Sequence, residues 1–237
     1  MFHRLKAFGT AALLYSAALN AAVAIDIGHT PKHYGALSAH GLHEYDHNRR
    51  MAEAVLEALQ NEGIEAFIIN PEGEEISLTS RTKVAKAKEA DLFISIHHDS
   101  VKERFLSTWA HENKTLRYCD EYSGYALFVS QTNPDNKVSY ALAERIGHHL
   151  RCGHHHPTHY HAMDIDGERR KLLDPALGIY AFDELAVLRT VEMPAVLIEC
   201  GFIVSRYDER EIASEKYQQD FAKSIATAVK ETLHTPR

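Results

Sequence analysis

The chain alternates short apolar runs with longer amphipathic segments from Val23 to Ala162, and this alternation limits its possible folds more than any other feature. The runs Val23–Ile27, Ile64–Ile69 and Asp91–His97 have the length of strands. The third run is almost continuously apolar, which is typical of a strand covered on both faces. Between the first two runs, Tyr45–Asn61 places its apolar residues on one helical face, which predicts a helix.

The remaining sequence continues this pattern to its end. The further predicted elements are a helix at Leu78–Glu89, a strand at Tyr125–Ser130, a helix at Ser139–Leu150, short strands at Leu185–Leu188 and Ala195–Glu199, and a closing helix at Tyr217–Leu233. Alternating strands and helices favour a single α/β domain, with a mostly parallel, twisted central sheet and helices on both faces. We assign residues 23–237 to this domain, with irregular insertions at about residues 102–123 and 151–185.

Three polar residues stand at the ends of predicted strands. His29 follows the first strand, His97 ends the third, and Glu199 ends the last. In open α/β sheets, ligands bind beyond the carboxyl ends of the strands. The topology therefore predicts that these three side chains lie close together.

His29, Glu44 and His97 form a candidate zinc triad. Hydrolytic zinc sites commonly use three ligands of the His and Glu type and keep a fourth position for water. Glu44 begins a predicted helix, where the helix dipole also favours a carboxylate. No spacing in the chain matches a local motif such as HExxH, so the prediction depends on convergence of strand ends.

Glu199 is the candidate catalytic carboxylate. The apolar residues Val196, Leu197 and Ile198 precede it, so its side chain is expected in a partly dry pocket. Burial raises the pKa of a carboxyl group and suits it to general base catalysis. The alternative is a structural carboxylate that pairs with a core arginine, either Arg189 or Arg81.

Several short motifs follow one another in a fixed order. They are Ile25–His29, the pair Glu44 and Asn48, the set Leu78, Arg81 and Ala85, the strand Ala90–His97, and the segments Val187–Arg189 and Pro194–Phe202. With the closing helix, these motifs resemble the zinc-dependent N-acetylmuramoyl-L-alanine amidases of the amidase-3 family. The resemblance covers Val23–Leu233 apart from the middle.

The resemblance implies a hydrolase that cuts the amide bond between the lactyl group of N-acetylmuramic acid and L-alanine in bacterial peptidoglycan. It implies Zn²⁺ as cofactor, with His29, Glu44 and His97 as ligands and Glu199 as catalytic carboxylate. Two other functions fit the same residues: an exported zinc peptidase, and a non-catalytic protein that binds the cell wall or zinc.

The chain departs from the family pattern near the candidate site. Thr30 and Pro31 replace glycines after the first ligand, Lys86 replaces an asparagine, and Asp99 replaces an asparagine two residues past the third ligand. Cell-division members of the family carry a regulatory helix after the third ligand. Residues 102–123 contain no clear equivalent, so the sequence identifies no protein activator.

A group of histidines lies outside the family pattern: His148, His149, His154, His155, His156, His159 and His161. A solvated surface loop is the favoured interpretation, and a second metal site is the alternative. His98, beside the third ligand, is expected to form the wall of the site, and Trp109 and Tyr118 either stack on sugar or cover the insertion. Cys119 and Cys152 either pair or, with Cys200, stay reduced.

Residues 1–22 are typical of an export signal, because Arg4 and Lys6 precede an uncharged stretch rich in alanine and leucine. An uncleaved membrane anchor is the alternative. After cleavage we expect no stable membrane insertion and a periplasmic or extracellular protein. The net charge of -7 argues against nucleic acid as the partner, because phosphate binding requires a basic surface.

Overall fold

The computed structural model describes residues 21–235. The strands are β1 (Ala22–Ile27), β2 (Glu65–Ile68), β3 (Leu92–Asp99), β4 (Ser107–His111), β5 (Lys114–Tyr118), β6 (Ala126–Val129), β7 (Lys171–Asp174), β8 (Ile179–Ala181) and β9 (Ala195–Phe202). The helices are α1 (Glu44–Asn61), α2 (Leu78–Ala87), α3 (Asn136–Cys152), α4 (Ala186–Thr190), α5 (Asp208–Ile212) and α6 (Glu215–Leu233). Two short 3₁₀ turns lie at Glu103–Phe105 and Tyr160–Ala162.

Seven strands form one sheet in the order β2-β1-β3-β9-β6-β8-β7. The pairs β1/β2, β1/β3, β3/β9 and β6/β8 are parallel, whereas β6/β9 and β7/β8 are antiparallel. The prediction of a single α/β domain with a mostly parallel central sheet is therefore confirmed. β3 and β9 are neighbours near the centre of the sheet, so their carboxyl ends lie side by side.

The two faces of the sheet pack against different helices. On one face, Ile25 and Ile94 belong to a core that also contains residues of α1, α3 and α6. On the other face, Phe93 and Leu197 pack with Ala85 of α2 and residues of α4. Successive side chains of a strand alternate between faces, which is why β3 requires an unbroken apolar run. Full burial of one such side chain contributes roughly 1.5–3 kcal/mol.

The predicted strand at Leu185–Leu188 is wrong, because residues 186–190 form helix α4. Val187 and Leu188 are buried against the sheet and α2. A four-residue apolar run is equally compatible with a buried strand and a buried helical turn, so periodicity cannot separate them. The last strand also continues beyond Glu199 to Phe202, which places the carboxylate inside β9 instead of at its end.

The two insertions have more regular structure than the sequence predicts. Residues 102–123 contain the antiparallel hairpin β4–β5, whose turn residues Glu112 and Asn113 both have positive φ. Residues 151–185 contribute β7 and β8 to the main sheet. These strands are only three to four residues long, so their alternation is too brief to recognise in the sequence.

The predicted export segment lies outside the described residues except for its last two positions, and Ala22 already belongs to β1. Within the described part of the chain, no helix combines the length and hydropathy needed to cross a bilayer. Cys119, Cys152 and Cys200 are all free thiols. The alternative of three reduced, buried thiols therefore holds for Cys119 and Cys200, whereas Cys152 is exposed.

Candidate metal centre

His29, Glu44 and His97 meet at the carboxyl end of the sheet. His29 Nε2 and His97 Nδ1 each lie 3.1 Å from Glu44 Oε1. One ligand atom from each residue lies within 4.8 Å of the other two. The three residues come from the loop after β1, the first turn of α1 and the end of β3, so the fold brings together residues that are far apart in sequence.

The backbone of His29 adopts a left-handed conformation with φ of 68°, which is costly for a residue other than glycine. Arg81 of α2 stabilises this turn by two hydrogen bonds to its backbone. Its Nη2 donates to the carbonyl of His29 at 2.6 Å, and its Nη1 donates to the carbonyl of Ile27. Nη1 also donates to Asp26 Oδ1 at 2.7 Å. The buried arginine therefore fixes the end of β1, from which His29 projects.

Two glycines make room for the candidate ligand side chains, because any larger residue at these positions would collide with them. A Cβ atom at Gly28 would lie 2.4 Å from the His97 ring, and one at Gly35 would lie 2.2 Å from Glu44 Oε2. Real Cβ contacts do not reach these distances. The backbone at both positions thus forms part of the wall behind the ligands.

Glu44 is held as a carboxylate. Its Oε2 accepts a hydrogen bond from the backbone N–H of Ala36 at 3.0 Å, and its Oε1 accepts one from Asn48 Nδ2 at 3.2 Å. Burial alone would raise the pKa of Glu44, but hydrogen bonds and charge interactions with His29 and His97 hold that pKa well below its usual range. An ionised carboxylate between two imidazoles is the donor set that zinc accepts.

His98 lies in the wall of the site, behind the candidate ligands. Its Nδ1 lies 2.8 Å from Asn48 Oδ1, and Asn48 in turn contacts Glu44. Burial lowers the pKa of His98 well below its usual value, so the ring is neutral and its Nδ1 can donate to Asn48. This matches the prediction that His98 forms part of the site wall.

Glu199 lies directly beside His97, since the two are paired residues of β3 and β9. Its Oε2 is buried and has no hydrogen-bond partner among residues 21–235. Burial raises the pKa of Glu199 well above its usual value, and the nearby carboxylates of Asp99 and Glu44 raise it further. Arg81 pairs with Asp26 instead, which argues against the structural pairing considered for Glu199.

The negative charge of Asp99 is neutralised by His161, which the sequence analysis named only as one of the surface histidines. His161 Nε2 lies 2.6 Å from Asp99 Oδ2, and His161 Nδ1 lies 3.0 Å from Glu168 Oε2. Burial opposes the charge on His161, but the two carboxylates raise its pKa to about 9. The sequence placed His161 in the histidine group by position alone, and its partners, 62 and 7 positions away, leave no local signal that would separate it from the others.

Four other histidines of that group each have a different partner. His149 pairs with Glu231, His156 contacts Ser123, His159 contacts the carbonyl of Pro175, and His155 packs against Tyr217. Among residues 21–235, only His29, Glu44 and His97 bring three metal-ligating side chains together at one point. This supports the surface interpretation for most of the group, with His161 as the exception.

A cavity of about 340 Å³ adjoins the candidate ligands. His29 and His97 border it on one side, while Ile76, Leu185 and Leu197 give it an apolar lining. The site therefore combines a metal-type donor set, a carboxylate of raised pKa and space for a ligand, which together suit metal-assisted hydrolysis.

Comparison with known proteins agrees with this chemistry. Residues 23–231 match the amidase-3 family model, which is described as N-acetylmuramoyl-L-alanine amidase. The chain is 27% identical to a probable N-acetylmuramoyl-L-alanine amidase, AmiB, of Haemophilus influenzae, over 86% of this chain and 50% of that protein. It is 26% identical to AmiC of Neisseria meningitidis, over 90% of this chain and 53% of that protein. The chain thus spans about half the length of these curated relatives.

A solved structure extends the likeness to the whole domain. The amidase AmiC2 of Nostoc punctiforme is 25% identical and superposes with a TM-score of 0.66, covering 91% of this chain and 98% of that one. The family match alone includes nearly all of the described residues. The chain therefore belongs to the amidase-3 family of N-acetylmuramoyl-L-alanine amidases.

Proposed function

We propose that this protein is a zinc-dependent N-acetylmuramoyl-L-alanine amidase that acts on bacterial peptidoglycan outside the cytoplasm. One observation carries the proposal: two imidazole nitrogens and a carboxylate oxygen lie within 4.8 Å of one another, and a second carboxylate of raised pKa stands beside them. Membership of the amidase-3 family supports the amide bond between the lactyl group of N-acetylmuramic acid and L-alanine as the bond that is cleaved.

In this proposal His29, Glu44 and His97 hold Zn²⁺. The low pKa of Glu44 and the neighbouring imidazoles fit such an ion, since both ligand types bind in their deprotonated forms. When bound, zinc lowers the pKa of a water molecule and polarises a carbonyl group. Gly28, Gly35 and Arg81 fix the ligands in place before substrate arrives.

Glu199 supplies the proton transfers. Its carboxylate accepts a proton from water as the water oxygen attacks the lactyl carbonyl carbon. The resulting carboxyl group then donates that proton to the alanine nitrogen as the C–N bond breaks. A carboxyl group whose pKa is raised by burial is better suited to both steps than an ordinary carboxylate, because the best catalytic pKa lies near the operating pH.

Substitution Glu199→Gln tests this role. The variant should still bind zinc, because Glu199 is not among the proposed ligands, but its kcat on purified peptidoglycan should fall by about a thousandfold or more. Glu192→Gln is the matched control, since Glu192 is exposed and forms a surface ion pair with Lys86, away from the candidate site. Full activity of Glu199→Gln would exclude Glu199 as the general base.

Product analysis distinguishes the amidase from its alternatives. An amidase releases intact stem peptides with a free L-alanine amino group, whereas a zinc peptidase cleaves within the peptide. A non-catalytic wall-binding protein releases neither product. A zymogram with and without chelator should show clearing only without chelator.

The proposed location follows from the substrate and from the sequence of residues 1–22. Peptidoglycan lies outside the cytoplasmic membrane, so the enzyme has to be exported. Fractionation of the source cells should place the mature protein outside the cytoplasm and shortened at its amino terminus.

A further inference from the structure

The loop that links His29 to Glu44, residues 30–43, presents much of the exposed apolar surface of the molecule. Six large hydrophobic side chains are exposed among residues 21–235, and three of them, Tyr34, Leu37 and Leu42, lie on this loop. Exposed apolar side chains that cluster beside a functional site commonly mark a binding surface.

The 30–43 loop is held firmly in place. The backbone N–H of Glu44 donates to the carbonyl of Ala36 at 2.9 Å, and that of Tyr45 donates to the carbonyl of Tyr34 at 3.1 Å. Leu37 and His43 form an isolated antiparallel bridge across the loop. A surface fixed in this way loses little further conformational entropy when a ligand binds.

Tyr34 is stacked on one face only. Its ring centroid lies 3.8 Å from that of His43, and the two planes are inclined by only 9°. His43 is the one ring in contact with Tyr34 among the described residues, and Tyr34 is 39% exposed. Part of the tyrosine surface that His43 does not cover therefore reaches solvent.

This stack stands next to the candidate metal centre. Gly35, which follows Tyr34, lies so close to Glu44 and His29 that a Cβ atom there would be 2.2 Å from Glu44 Oε2 and 2.7 Å from His29 Nε2. The backbone that carries Tyr34 is therefore directly joined to a position in contact with two candidate ligands.

We propose that the stacked rings of Tyr34 and His43 form a platform for a pyranose ring of the glycan strand next to the scissile amide. The inference rests on the proposed function. A pyranose ring presents one face of C–H groups, whose weak positive charge complements the negative face of an aromatic ring.

The shape of the platform favours sugar over peptide. A glycan strand continues in both directions past the muramic acid, so its contact surface has to be open at both ends. Tyr34 is exposed and does not line the cavity bordered by His29 and Leu185. In this proposal the glycan strand lies on Tyr34 at the surface, and the cavity receives the peptide segment.

Titration of the full chain with a peptide-free oligosaccharide of alternating N-acetylglucosamine and N-acetylmuramic acid tests the platform. Tyr34→Ala should weaken binding by about tenfold, while Tyr34→Trp, which keeps an aromatic face, should bind like the parent. Tyr207→Ala is the control, because Tyr207 is an exposed tyrosine (65%) whose ring lies beside Arg206 and outside the 30–43 loop. Circular dichroism should show the same fold for all variants.

Hydrolysis of peptidoglycan provides a second measurement. Tyr34→Ala should raise KM with little change in kcat, because Tyr34 touches none of the reacting atoms. Unchanged oligosaccharide binding by Tyr34→Ala, or no binding by the parent, overturns the platform. Tyr34-dependent oligosaccharide binding without any hydrolysis supports the platform and overturns the proposed amidase activity instead.

Discussion

At the scale of single residues, the geometry of the candidate metal centre depends on neighbouring glycines as well as on the three ligands. Gly35 has φ of +77°, and its missing side chain leaves room for Glu44 Oε2. Gly63 has a similar φ of +73° but has no atoms within 4 Å of an added Cβ. The two positions differ in what surrounds them and not in backbone conformation.

Gly35→Ala should therefore reduce zinc affinity by at least an order of magnitude, because the new Cβ displaces Glu44 or His29. Gly63→Ala should cost about 1 kcal/mol of stability, from the left-handed backbone alone, and leave zinc affinity unchanged. Competition with a chromogenic chelator measures both affinities. Equal zinc affinity for the two variants would contradict the role given to Gly35.

At the scale of secondary-structure elements, α2 is joined to β1 through a buried ion pair. Arg81 is 2% exposed and donates to Asp26, to the carbonyl of Ile27 at the end of β1 and to the carbonyl of His29 just after it. The same helix carries Lys86, whose pair with Glu192 is exposed on both sides. One helix thus offers a buried pair and a surface pair for comparison.

Arg81→Met should destabilise the protein by about 3–5 kcal/mol, because it leaves the Asp26 carboxylate buried without its partner. Lys86→Met should change the free energy of unfolding by less than about 1 kcal/mol. Urea denaturation measures both values. If Arg81→Met lowers the free energy of unfolding by less than about 1 kcal/mol, the buried pair of Arg81 with Asp26 is not needed for stability.

The pair of His161 with Asp99 and Glu168 links the end of β3 to the segment before β7. Because the pKa of His161 is raised to about 9, protonated His161 stabilises the fold fully below about pH 6.5. This contribution is lost as the pH rises through about 9. Relative to His161→Gln, the parent protein should lose stability between pH 6.5 and pH 9.5 in thermal unfolding; parallel curves would contradict this assignment.

At the scale of the whole molecule, the sequence predicted the sheet and the convergence of His29, His97 and Glu199 because buried parallel strands leave strong apolar runs. It failed where the runs are short, as in α4, β7 and β8, whose conformation depends on the core that they complete. The partnership of His161 with Asp99 was also missed, since contacts between distant residues leave no periodic signal.

The central claim is that one zinc ion is held jointly by His29, Glu44 and His97. Anomalous diffraction at the zinc absorption edge, from crystals of the zinc-loaded protein, tests it most directly. We expect a strong peak within bonding distance of all three residues, on the side where Glu199 stands. A zinc-loaded crystal with no peak among these three residues, or with its peak at another histidine, would contradict the account.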